Sequence, residues 1–86
     1  MEQLPPCSQA SLSLVKGIYE HYKGNRYEVL GVARHSETLE EQVVYKTLAG
    51  EQGMWVRPLP MFLETVWIDG KGEIPRFRLI SANSDG

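Results

Sequence analysis

Between Ile18 and Lys23 the chain alternates with the two-residue period of a strand: Ile18, Glu20 and Tyr22 share one side, Tyr19, His21 and Lys23 the other. Lys23-Gly24-Asn25-Arg26 follows, and its Gly and Asn supply the backbone freedom that a tight hairpin needs. Tyr27 to Ala33 is the return strand, in which Gly31 marks a bulge or sharp bend. Gln42 to Leu48 is a strand with Val43 and Tyr45 on one face and Val44 and Lys46 on the other. Ala49 to Gly53 reads as a turn. Met54 to Arg57 is a short strand stopped by Pro58, which has no N–H to give to a ladder. Pro60 opens a helix of no more than two turns through Met61, Phe62, Leu63, Glu64 and Val66. Trp67-Ile68 leads into a turn at Asp69-Gly70-Lys71-Gly72. The last strand, Arg76 to Ile80, sets Phe77 and Leu79 on one face and Arg76 and Arg78 on the other.

About five short strands, tight turns and one short helix predict a mainly β fold, an SH3-like partly open barrel. Curling of this kind hides edges that a small flat sheet would expose. A compact α+β roll is the alternative. The domain spans residues 15–80, between a flexible leader (1–14) holding one helical turn and a flexible tail (81–86).

Composition narrows the picture in three places. Eighty-six residues fit one small domain, so aromatic anchors carry much of its core; Tyr19, Tyr22, Tyr27, Tyr45, Trp55, Phe62, Trp67 and Phe77 run through the whole body. A formal charge of -2, with both signs interspersed, argues against a dominant phosphate-binding surface. The single cysteine, Cys7, excludes an internal disulfide and a Cys-cluster zinc site. No apolar run reaches the ~20 residues of a membrane helix, and no basic segment precedes an apolar one at the N-terminus. The expectation is a cytoplasmic protein off the membrane.

The densest chemistry lies from Ala33 to Tyr45, where Arg34, His35, Ser36, Glu37, Thr38, Glu40 and Glu41 crowd a connection between two strands. A plain turn needs far less, and loops on a rigid scaffold often carry function. Ser36 is a poor nucleophile partner for His35, because neighbours on an extended chain point to opposite faces. Thr38 and Glu41 fit the capping-box pattern of one helical turn. A metal site joining His21 and His35 is disfavoured. Folding the first hairpin about Gly24-Asn25 pairs Tyr19 with about Leu30 and leaves His35 near Leu14. Glu37, Glu40 and Glu41 are available as acids, bases or acceptors for a cation. Trp55 and Arg57 share a strand face, where an indole beside a guanidinium can bind an anion, a nucleobase or a carboxylate. Arg57 could equally hold Glu37 or Glu40 in an internal ion pair. Tyr22, Lys23, Arg26 and Tyr27 mix rings and cations at the first hairpin, as single-strand nucleic-acid binders do.

Gly17 to Gly24 (G-I-Y-E-H-Y-K-G), Ala33 to Glu40 (A-R-H-S-E-T-L-E), Val43 to Tyr45, Trp55 to Pro58 (W-V-R-P) and Met61-Phe62 follow in an order that resembles the bacterial family catalogued as domain of unknown function 1653. The resemblance spans about Gly17 to Ile80. It implies a small stand-alone bacterial domain and transfers no catalytic role to any residue.

The sequence thus predicts a binding or adaptor module for a nucleic acid, a peptide or a small polar ligand, with Tyr22, His35, Glu37, Glu40, Trp55 and Arg57 at its site. No cofactor or metal is implied. The competing readings are a small hydrolase using His35 with Glu37 or Glu40, and a polar cluster that serves structure alone.

Overall fold

The structure, a computed structural model, describes residues 7–48 and 53–83. It is mainly β. In chain order the elements are α1 (Gln9–Ser13), β1 (Gly17–His21), β2 (Arg26–Arg34), β3 (Glu41–Thr47), β4 (Met54–Pro58), α2 (Leu59–Leu63), β5 (Thr65–Ile68), β6 (Gly72–Pro75) and β7 (Phe77–Ala82). Five strands make one antiparallel sheet in the order β4-β3-β2-β1-β7, and β5-β6 is a separate hairpin. The turn expected at Ala49 to Gly53 lies largely outside the described residues. No described helix is long and apolar enough to cross a membrane.

The expected alternation is realised in β3. Val43 and Tyr45 are buried, whereas Val44 and Lys46 are not. The bulge expected at Gly31 is present as a register shift between Val29 and Gly31. Two expectations need correction. The first hairpin pairs Tyr19 with Tyr27 rather than Leu30, because β1 ends at His21 and the loop closes through His21 N–H donating to the Asn25 carbonyl. The helix after Pro58 ends at Leu63, a single turn, and Thr65 and Val66 begin β5. Branching at the β-carbon of both residues favours the extended backbone.

The sheet curls without closing into a barrel. Arg57 on the β4 edge lies 5.5 Å from the Phe77 ring on the β7 edge, so the two edges approach without exchanging a ladder. Phe62, carried by α2, fills the space between them. Its ring stacks on Phe77 at 4.3 Å and meets Tyr19 edge-on at 5.3 Å. The core is completed by Val29, Val43, Tyr45 and Leu59, with Tyr27 and Leu14 packed against it. A one-turn helix has little stability of its own; burial of Leu59 and Phe62 holds α2 in place.

The stretch expected as a leader is tied to this body within the described residues. Ser8 caps α1, its hydroxyl accepting from Ser11 N–H, and Glu41 receives both the Ser8 N–H, at 2.9 Å, and the Ser8 hydroxyl. Those hydrogen bonds hold the Glu41 carboxyl below the usual carboxylate range. A depressed folded-state value means that the tether is fully present above the unfolded carboxylate pKa and is lost as pH falls on through the lower folded-state value. Glu41→Gln is expected to speed amide exchange at Ser11 and Leu12 while leaving the urea midpoint of the core nearly unchanged. Lowering the pH of the unmodified protein should reproduce the loosening.

Candidate functional site

The polar connection after β2 is organised by His35 as a turn. Its N–H donates to the Glu40 carbonyl and its carbonyl accepts from Leu39 N–H, each at 2.8 Å. The imidazole Nδ1 accepts from the N–H groups of Glu37 and Thr38 at 3.1 and 3.2 Å. Leu39 completes the reversal at φ 64°, a conformation rare for a branched side chain. The expected capping box is absent: no helix follows, Thr38 Oγ1 accepts from Glu40 N–H, and Glu41 reaches Ser8. The ring that looked reactive in the sequence serves as a backbone acceptor. Glu37 is exposed, and exposed Glu40 accepts a hydrogen bond from the Gln42 amide. No hydrogen bond or ion pair joins either carboxylate to the His35 ring among the described residues.

Arg57 lies elsewhere. The ladder sets Val43 opposite Arg57 and Tyr45 opposite Trp55, so the expected shared face of Trp55 and Arg57 is present. Both partners on β3 are buried, which places the pair on the aromatic side of the sheet. Trp55 remains 49% exposed. Arg57 is half-buried, and its Nε is sealed from solvent without a hydrogen-bond acceptor. Among the described residues it has no carboxylate partner; the expected alternative of an ion pair with Glu37 or Glu40 is not formed. Its guanidinium lies 5.5 Å from the Phe77 ring, a contact of charge with π-density. The other arginines of this end each meet a carboxylate: Arg26 and Arg78 share Glu20, and Arg76 pairs with Glu64.

His21 is the residue that sequence reasoning passed over. It stands edge-on to Phe77 at 5.0 Å and tilted over Tyr22 at 4.5 Å. Its Nδ1 accepts from Lys23 N–H, which leaves Nε2 to carry the proton of the neutral ring. Burial, and then the positive charges of Arg76, Arg57 and Lys23, push its pKa below the ordinary histidine value. The alternation of β1 had put His21 beside Tyr19; only the true register, pairing His21 with Phe77, shows that this is the aromatic face.

Tyr22 joins the same cluster through His21. Lys23 and Arg76 lie 5.8 and 5.9 Å from its ring. A cleft of about 280 Å³ adjoins it, lined by Glu20, His21, Tyr22, Lys71, Ile74, Pro75 and Arg78. Glu40 belongs to a different cleft, of about 450 Å³, between α1 and α2. The six expected site residues therefore divide. Trp55 and Arg57 lie on the aromatic face, Tyr22 meets it only through His21, and His35, Glu37 and Glu40 lie on the turn after β2. No group of three His, Cys, Asp or Glu side chains among the described residues could hold a metal ion.

A family model described as a protein of unknown function, DUF1653, matches residues 17–79. The chain belongs to the DUF1653 family. A crystal structure of a DUF1653 protein from Bordetella bronchiseptica is similar, at 38% identity and a TM-score of 0.76, covering 88% of this chain and 99% of that one. A search of the curated proteins found no match. The DUF1653 match takes in both the His35 turn and the Arg57 face, and its description attaches an activity to neither.

Proposed function

We propose that this domain is a binding module that holds the anionic group of a small polar ligand at Arg57, with Trp55 flanking the bound molecule. One observation carries this reading: a half-buried guanidinium whose Nε is sealed and unpartnered, with no carboxylate to meet it among the described residues. Sealing a polar N–H without an acceptor costs about 1–3 kcal/mol, and a cation–π contact at such a site offsets about 0.5–2 kcal/mol. A ligand carboxylate or phosphate would complete the forked hydrogen bonding that the guanidinium geometry favours. The exposed Trp55 indole offers a flat apolar wall beside it.

A nucleic-acid reading draws less support, since Arg26, Arg76 and Arg78 are each engaged by a glutamate. A hydrolase reading draws least, since the His35 Nδ1 is committed to the backbone. A free cysteine and the absence of a long apolar helix among the described residues fit the bacterial cytoplasm.

Arg57→Met tests the proposal, because it keeps the length of the side chain and removes the charge. The variant should keep or raise the urea midpoint, as replacement of an unsatisfied buried charge by an apolar group commonly does. Titration with acetate, phosphate and sulfate should shift the Trp55 indole N–H resonance in the unmodified protein, with affinity falling at least about tenfold in Arg57→Met. A marked loss of stability in the variant, or no anion response at Trp55 in the parent, would refute the reading.

A further inference from the structure

We infer that the anion held at Arg57 is a tetrahedral dianion of the phosphate-ester class, with His21 as its second anchor, so that binding takes up a proton; this rests on the anion-binding reading of Arg57. Phe77 is the shared platform. Arg57 approaches its ring from β4, the far edge of the sheet, at 5.5 Å, and His21 approaches from the neighbouring β1 at 5.0 Å. The two groups are thus no farther apart than those two distances together. An oxyanion with a hydrogen bond of about 2.8 Å on each side spans such a gap. The His21 Nδ1 is occupied by Lys23 N–H, so Nε2–H is the donor left for a ligand. Donors arriving from two separate strands, Arg57 on β4 and His21 on β1, suit oxygens that diverge tetrahedrally better than the two coplanar oxygens of a carboxylate.

Charge points the same way. The groups that press on His21 are all cationic: Arg76 from the segment before β7, Arg57 from β4 and Lys23 from the turn. Of these, Arg76 is paired with Glu64, whereas Arg57 and Lys23 have no carboxylate partner among the described residues. The adjoining cleft brings Tyr22, Lys71, Arg78 and Glu20 to His21 as well, and there Glu20 is shared between Arg26 and Arg78. A monoanion would leave one of the two unpaired charges over; a dianion neutralises both. Burial, with the same positive surroundings, disfavours protonation of the empty-site imidazole. A bound dianion reverses the sign of that local field, so the ring takes a proton and gains a second charged donor.

Isothermal titration of the full chain with sulfate and with acetate, at pH 7.5 and pH 5.5 and constant ionic strength, tests this. Sulfate does not titrate in this range, so any pH dependence belongs to the protein. Sulfate should bind at least about tenfold more tightly than acetate and tighten several-fold on acidification, with about tenfold as the limit that a one-unit rise in the His21 pKa allows. His21→Gln should keep weak sulfate binding through Arg57 and lose the pH dependence. NMR titration of the His21 ring in the unmodified protein, with and without sulfate, gives the same answer without a variant. Equal affinity for acetate and sulfate, an undiminished pH slope in His21→Gln, or a His21 pKa unmoved by sulfate would overturn the dianion inference while leaving Arg57 as an anion site. Failure of every anion to bind would overturn both.

Discussion

Phe62→Ala is expected to remove about 3–5 kcal/mol of stability, which takes away most or all of the folding free energy of a domain at the low end of the usual range, about 5 kcal/mol. Phe62 is 2% exposed, among the most buried side chains described, and touches the aromatic core on three sides. Its ring is stacked on Phe77, edge-on to Tyr19 and tilted toward Tyr45 at 6.4 Å. The change would empty the centre of the curled sheet and remove one of the two buried residues that keep α2 in place. Release of α2 would in turn free Pro58 and Arg57, which directly precede it. Phe62→Leu, which keeps most of the volume, should cost less than half as much. Urea unfolding followed by tryptophan fluorescence reads both variants. A loss below about 1 kcal/mol for Phe62→Ala would mean that the core does not close around this ring.

Much of this fold was legible because it is local. The alternation in β1 and β3 and the bulge at Gly31 each depend on a few neighbouring residues. So does the stop at Pro58, and the Asp69 to Gly72 turn is closed by Lys71 N–H donating to the Ile68 carbonyl. The β5-β6 hairpin was not legible, because the proline start at Pro60 pulled Val66 into a helix and Trp67-Ile68 is too short a run to declare a strand. The curl of the sheet depends on the approach of Arg57 to Phe77 across opposite edges, and that approach is encoded in accumulated twist rather than in any short pattern.

The site divides along the same line. Trp55 and Arg57 sharing a face follows from a two-residue spacing, and it held. What Arg57 lacks could not be read from spacing, since an absent partner is a property of the assembled surface. The His35 turn misled for the opposite reason. A histidine ring accepting two backbone N–H groups looks, in sequence, like a histidine beside carboxylates. Glu41 likewise looked like part of a local cap and serves Ser8, 33 residues away. His21 was weighed only as half of a metal pair, because the ring it meets, Phe77, belongs to β7, 56 residues away, and that pairing is set by no local pattern.

The second large effect is expected at Gly17, where β1 begins beside the end of β7. Gly17 is buried at φ +152°, and a β-carbon there would overlap the Ser81 carbonyl oxygen and stand 2.9 Å from the Ala82 Cα. Both obstacles are backbone, so no side chain can swing aside. Ser81 and Ala82 are the residues that the ladder sets against Ile18 and Gly17, next to a register shift at Ile18/Tyr19. Relief would have to come from parting the strands. Gly17→Ala should therefore cost about 3 kcal/mol or more, with backbone strain alone worth about 1–3 kcal/mol. Gly70 is the control: its φ is +83°, and an added β-carbon meets nothing within 4 Å. Gly70→Ala pays only for the left-handed backbone, about 1–2 kcal/mol. Amide exchange should locate the difference. In Gly17→Ala the protection of Ser81, Ala82 and Asn83, whose N–H donates to the Lys16 carbonyl, should fall before that of β3. Equal urea midpoints for the two variants would show that β1 and β7 can part here at little cost, and that the edge facing Arg57 is not held by this contact.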